Sequence, residues 1–249
     1  MIAQLQEYYR SNGISAQDFS CSHFFECSKG CENFTEAKEA FVSTGYEKRI
    51  LPRLLFISLD PGKANPNAKY RTLEGVRKEE EIFFNLGSLH SEKTRHWYLT
   101  HELAQFILSK FQFNLHTSQV HHFFAHTNSA KCCMNKEKKG KADKRLFRNC
   151  QEFIPGEVKI LLPEIIVTQG AEAQASITGK FPEFTLSDYL PIEINLQEIR
   201  IINIANKPTI WIHTYHPNNW GKFNKQRHEK FGIYSNIIFK FIKNNDFWK

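Results

Sequence analysis

Short apolar runs alternate along this chain with segments whose apolar residues recur every three or four positions. The run Leu54–Leu59 ends at Asp60-Pro61-Gly62, a turn signal, and so predicts a buried strand. Val120–Ala125, Glu164–Thr168 and Thr209–His213 read as three further strands, and Ile192–Ile204 as a strand or hairpin. Helical spacing marks Ile2–Tyr9, Thr35–Ser43, Leu99–Phe111, Ala171–Gly179 and Gln226–Lys243. Lys144–Leu162 has the same spacing with a break at Pro155-Gly156, and Glu79–Phe84 has some helical character. Strands alternating with helices predict an α/β fold, three-layer αβα, around a central, mainly parallel four-stranded sheet. The stretch Gly62–Arg95 is long, polar and punctuated, a length usual for functional or disordered loops.

Two strand ends carry candidate chemistry. Asp60 follows the first strand, and His213-Thr214-Tyr215-His216-Pro217 follows the last. Open α/β sheets bind ligands at the carboxyl ends of their strands. A carboxylate and an imidazole on one rim are suited to acid/base work. Taken alone, Asp-Pro-Gly is equally ordinary turn chemistry.

Five segments in order resemble motifs of the uracil-DNA glycosylase superfamily. Ser58-Leu59-Asp60-Pro61-Gly62 is similar to its first motif, and His216-Pro217-Asn218 to its late His-Pro-Ser motif. Thr127-Asn128-Ser129-Ala130-Lys131-Cys132 resembles a segment of the iron–sulfur branch, as do Cys150-Gln151-Glu152-Phe153 and Pro163–Ala173. The resemblance implies a glycosylase-like domain over residues 1–249, acting on DNA. The chain departs from the iron–sulfur branch at the first motif, where that branch has Ala at position 60 and Glu at position 59 and this chain has Asp60 and Leu59.

Composition adds a net charge of +7, compatible with a polyanionic partner. The charge is concentrated at Lys136–Arg145 and at Lys222, Lys225, Arg227 and Lys230, beside the candidate motifs, as phosphate contacts would require. No apolar run is long enough to span a membrane, and the charged N-terminus does not read as a secretory signal; a cytoplasmic monomer is expected. Cys21, Cys27 and Cys31 lie within eleven residues, and Cys132, Cys133 and Cys150 form a second group. On chemistry alone, such half-sites suit a four-thiolate zinc ion or an iron–sulfur cluster. The resemblance implies a structural [4Fe–4S] cluster held by Cys27, Cys31, Cys132 and Cys150, with Cys21 and Cys133 as alternates. It would staple the Cys-rich segment at about 21–31 to the core.

The resemblance also implies roles. Asp60 would activate water, and His216 would donate to the departing base. Asn128 would read the pyrimidine edge, with Trp97 or Tyr70 stacking on the flipped base and Phe84 as a rival. Trp220, Lys222 and Lys131 would contact DNA. The implied activity is hydrolysis of the N-glycosidic bond of uracil or a modified pyrimidine, such as a glucosylated hydroxymethylcytosine of phage DNA, leaving an abasic site. Two other readings stay open: a cluster-stapled nucleic-acid-binding module without activity, and a zinc hydrolase using His213 and His216, for which no third ligand stands at recognisable spacing.

Overall fold

A computed structural model describes residues 1–83, 95–112, 114–134, 142–190, 197–217 and 227–245. Among these, seven strands form one mixed sheet, β1 (Phe41–Val42), β2 (Leu54–Ser58), β3 (Phe124–Asn128), β4 (Ile165–Gln169), β5 (Glu183–Phe184), β6 (Ile199–Ile204) and β7 (Lys207–Thr214), in the order β1-β3-β2-β4-β7-β6-β5. The sheet is therefore larger than the predicted four strands. Its middle, β3-β2-β4-β7, is parallel throughout. The additions are antiparallel edges: β1 on β3, and β6 then β5 beyond β7. β6 falls within the strand or hairpin expected over Ile192–Ile204 and returns into β7 through Ala205 and Asn206, both left-handed (φ 49° and 63°); β1 and β5 escape the sequence pattern because each is only two residues long. Positive φ at both central residues matches the twist of a tight hairpin.

Helices cover both faces: α1 (Ile2–Ser11), α2 (Phe24–Ser28), α3 (Thr44–Glu47), α4 (Leu73–Lys78), α5 (Arg95–Leu108), α6 (Lys144–Cys150), α7 (Ile154–Leu161), α8 (Ala171–Ala175) and α9 (Arg227–Asn244). Side chains alternate across a strand, and the two cores follow that alternation. Leu55, Ile57, Ala125, Ile166 and Trp211 pack with α1, α6 and α7. Leu54, Phe56, Phe124, Ile165, Val167, Ile210 and Ile212 pack with α5 and α9. Burial on both faces is why β2 and β4 are almost wholly apolar.

Three local expectations are corrected. Thr35–Ser43 is not helical: Thr35 pairs with Cys133, Lys38 N–H donates to the Lys131 carbonyl (2.9 Å), and β1 follows. Pairing with residues far along the chain overrides the local spacing. The third strand begins at Phe124 and runs to Asn128, while Val120–His122 is a 3₁₀ turn, so hydropathy placed the strand too early. The break in 144–162 falls at residues 151–153, and Pro155 sits in the first turn of α7, where its missing N–H costs nothing.

One buried ion pair joins these layers. Lys131 is 1% exposed and its ammonium bonds Glu157, which is fully buried on α7. The Glu157 carboxylate also accepts from Tyr9 of α1 and from Thr127 Oγ1 of β3 (2.9 Å). Thr127 Oγ1 in turn accepts from the Lys131 ammonium. Removing one partner leaves the other charge buried and uncompensated. Lys131→Ala should therefore lower unfolding free energy by about 3–5 kcal/mol in urea titration. A loss below about 1 kcal/mol, the scale of an exposed pair, would show the ammonium reaches water.

Candidate functional site

Because β3, β2, β4 and β7 run in parallel, their carboxyl ends lie along one rim. On the α5 side of the sheet each strand turns polar as it reaches that rim. Leu54 and Phe56 give way to Ser58, Phe124 to His126 and Asn128, Ile165 and Val167 to Gln169, and Ile210 and Ile212 to Thr214. These polar ends bond one another. Ser58 Oγ donates to Gln169 Oε1 (2.8 Å) and lies 2.9 Å from His126 Nε2. Gln169 Nε2 donates to Thr100 Oγ1 on α5 (3.1 Å). This network could have been found from the sequence as a period-two face that changes from apolar to polar at the same end of every parallel strand.

Beyond it stand the expected site residues. Asn128 closes β3 opposite Ser58, and both are buried. The chain then hugs the end of β2, with Ser129 N–H donating to the Ser58 carbonyl (2.9 Å) and Ala130 N–H to that of Leu59 (3.1 Å). Asp60 is partly buried; its Oδ2 accepts from Gly62 N–H (3.1 Å), and desolvation pushes its carboxyl above the usual range despite that bond. His216 lies two residues beyond β7, and burial holds it below the ordinary histidine range. Gly170, after β4, lies between these two ends. A Cβ there would stand 3.1 Å from Leu59 Cδ2 and 3.4 Å from the His216 Cβ, and φ is +102°. Glycine at 170 thus lets the Asp60 and His216 segments close on each other.

The stacking candidates are placed differently. Trp97 is packed among rings: His126 meets it edge-on at 4.8 Å, His101 at 5.2 Å, and its Nε1 donates to Glu80 (2.8 Å). Glu80 lies in a π-helical turn over Glu79–Phe83, and burial lifts its carboxyl to about 7. Tyr70 is half-buried on the 3₁₀ turn Ala68–Tyr70, in the segment leading away from Asp60, with Lys69 Nζ 4.7 Å from its ring centroid. Lys131 is corrected as a DNA contact, since its ammonium is committed to Glu157 beneath the sheet. Trp220, Lys222, Asn218 and Phe84 lie outside the described residues, as do Lys136–Lys141 of the basic run. Tyr215, 48% exposed beside His216, is a rim aromatic the sequence reading did not select. His213, the other half of the zinc reading, faces Thr168 instead (Nδ1 to Oγ1, 3.2 Å).

The six cysteines separate by contact. Burial raises Cys132, and Cys150, Cys21 and Cys27 raise it further by charge; Cys150 is likewise raised to about 11 by burial, with Cys27 and Cys21 adding to it. Cys21, Cys27, Cys132 and Cys150 thus lie within electrostatic reach of one another. Cys31 donates instead to the Met134 carbonyl (3.2 Å) and Cys133 to that of Gly62 (2.6 Å). Cys21 and Cys31 both pack, partly buried, against the core that holds Cys27, Cys132 and Cys150. Among the described residues no three His, Cys, Asp or Glu side chains converge closely enough for a single metal ion. In kind, the thiols of Cys21, Cys27, Cys132 and Cys150 are the soft donors that an iron–sulfur cluster takes. The Cys-rich segment is tied to α6 by Arg148–Glu26 (2.6 Å) and by Asn149 Nδ2 donating to Cys27 Sγ (3.4 Å). His23 pairs with Glu152 just beyond it (2.8 Å).

No protein-family model matches the chain, and neither does any curated protein. Among the described residues, no helix is long and apolar enough to cross a membrane.

Four buried histidines lie along α5 and at or just before β3. Burial lowers His96 and His101 to about 3, His121 to about 4, and His126 well below the ordinary value. A lowered folded pKa means the unfolded chain binds more protons between that value and about 6.5, so stability is complete above 6.5 and is lost as pH falls. Thermal melts should therefore drop steeply from pH 6.5 to pH 4, by on the order of a few kcal/mol per unit at 25 °C. A melting temperature flat across that window would contradict the burial of these rings.

Proposed function

We propose that this chain is a monofunctional DNA glycosylase, hydrolysing the N-glycosidic bond of uracil or a modified pyrimidine to leave an abasic site. The observation that carries the reading is the shared rim: Asn128, Asp60 and His216 follow three parallel strands and all lie at carboxyl ends. Five motifs in the order of the uracil-DNA glycosylase superfamily support it. Breaking the bond generates a cationic sugar and a departing base anion. The Asp60 carboxylate orients water and stabilises the cation, and its partial desolvation strengthens that interaction. His216, neutral near pH 7, donates one N–H to the base oxygen where negative charge collects. Asn128 offers a donor and an acceptor to the base edge. Tyr70 is the stacking candidate favoured over Trp97, whose ring is already packed and bonded. Extrusion of the base from the helix precedes all of this.

Cys21, Cys27, Cys132 and Cys150 would hold a [4Fe–4S] cluster. Its contribution is structural, because glycosidic hydrolysis transfers no electrons. Each thiol must lose its proton to become a ligand, and burial opposes that loss, so assembly should be strongly pH-dependent.

Two measurements test the reading. Uracil-containing oligonucleotides and glucosylated phage DNA, treated with the protein and then alkali, should show strand breaks and a released base by mass analysis. Asp60→Asn and His216→Ala should each slow release about a hundredfold or more. DNA affinity should survive, since most of it comes from phosphate contacts. Asp60→Asn should at the same time melt higher at pH 7. The native carboxyl titrates above the unfolded one, so the ionised group weighs against folding once pH exceeds its unfolded value. No base released from any of these DNAs would leave the non-catalytic module as the better account. Separately, anaerobically purified protein should be brown with about four irons per chain, and Cys21→Ser should cost more iron than Cys31→Ser. Colourless protein with one zinc would overturn the cluster.

A further inference from the structure

His216 is backed by a second imidazole that belongs to none of the five motifs. The His96 ring, from the first turn of α5, lies 4.8 Å from that of His216, centroid to centroid, and 20° from parallel. Trp97 continues the stack, 6.2 Å from His96 and 10° from parallel. Trp97 is held by its Nε1 bond to Glu80, and His126 closes edge-on against both rings, at 6.5 Å from His96 and 4.8 Å from Trp97. His126 is in turn anchored beside Ser58 Oγ at the end of β2. The stack thus joins the start of α5 to the ends of β2, β3 and β7.

His96 has little to offer chemically. Burial, with the neighbouring His216 as second cause, holds it near 3, so it is neutral wherever the rim is folded. Its Nδ1 is buried without a hydrogen-bond partner. What His96 supplies is a flat apolar surface at fixed position. His216 lies two residues beyond the strand ladder, and there the face of His96 lies against its ring. A donor aimed before substrate arrives does not have to be reoriented during the reaction.

We infer that His96 is a positioning residue: by stacking on His216 it fixes the plane in which the His216 N–H is presented to the departing base. The inference rests on the glycosylase reading for what His216 does, and on the ring geometry alone for what holds it. It explains why the helix carrying His96 is bonded to the polar strand ends through Thr100 and Gln169.

The test compares His96→Ala with His96→Phe, which keeps a flat ring and discards both nitrogens. In substrate-free protein, ¹³C relaxation of the assigned His216 ring should report a rigid ring in the wild type and in His96→Phe, and nanosecond motion in His96→Ala. Single-turnover base release should fall about ten- to a hundredfold in His96→Ala, the range a misplaced group costs, with DNA affinity changed less than about twofold. His96→Phe should restore the rate to within about threefold of wild type with an unshifted pH profile, because His96 does not titrate in that range. His96→Phe should also melt higher, since it removes an unpartnered buried nitrogen. Equal ring order in His96→Ala and wild type would overturn the inference, and so would a His96→Phe variant as slow as His96→Ala. If ring order responds as stated but the wild type releases no base, the glycosylase reading falls and the positioning of His216 stands.

Discussion

One carboxylate, Glu157, joins the first helix, β3 and the loop after it at a single buried point. It takes the Tyr9 hydroxyl from the first helix, the Thr127 hydroxyl from β3 and the Lys131 ammonium from the loop that follows. That loop runs between Asn128 and the paired cysteines, and the Lys131 amide donates to Cys150 Sγ (3.3 Å). A buried pair of this kind does little for stability compared with apolar packing, but it is intolerant of misplacement, since either charge left alone is costly. It therefore acts chiefly on geometry. The Asn128 end of the rim and the cysteine group are both referred to the same fixed point.

The sheet was legible where burial is symmetrical. Leu54–Ser58 and Ile165–Gln169 are apolar because helices cover both faces, and an apolar run between turn signals marks such strands whatever their neighbours. It was illegible where polar residues are buried for a purpose. His126, Thr127 and Asn128 belong to β3, yet hydropathy ends the strand before them. Thr35–Ser43 failed for another reason: Lys38 and Glu39 bond to Lys131 and Arg71, partners remote in sequence. Local spacing holds no trace of that pairing.

The candidate site divides in the same way. Asp60 and His216 could be placed at strand ends from the residues alone, because Asp-Pro-Gly and His-Pro are turn chemistry after apolar runs. The support around them could not. His96, His126, Gln169 and Thr100 are single polar residues inside apolar patterns, and each makes sense only against the others. Lys131 shows the converse. Its charge reads as a surface contact in the sequence, and the fold places it inside.

Cys132 and Cys133 are neighbours with opposite allegiances. The first is buried in one core with Cys27 and Cys150; the second donates a hydrogen bond to the carbonyl of Gly62, whose own amide holds Asp60. Two adjacent residues therefore span the distance between the thiol group and the acidic loop, with the bridge from Thr35 to Cys133 as their fulcrum. Asp60 is thereby held by a run of contacts from Thr35 through Cys133 to Gly62, and not by the end of its own strand alone.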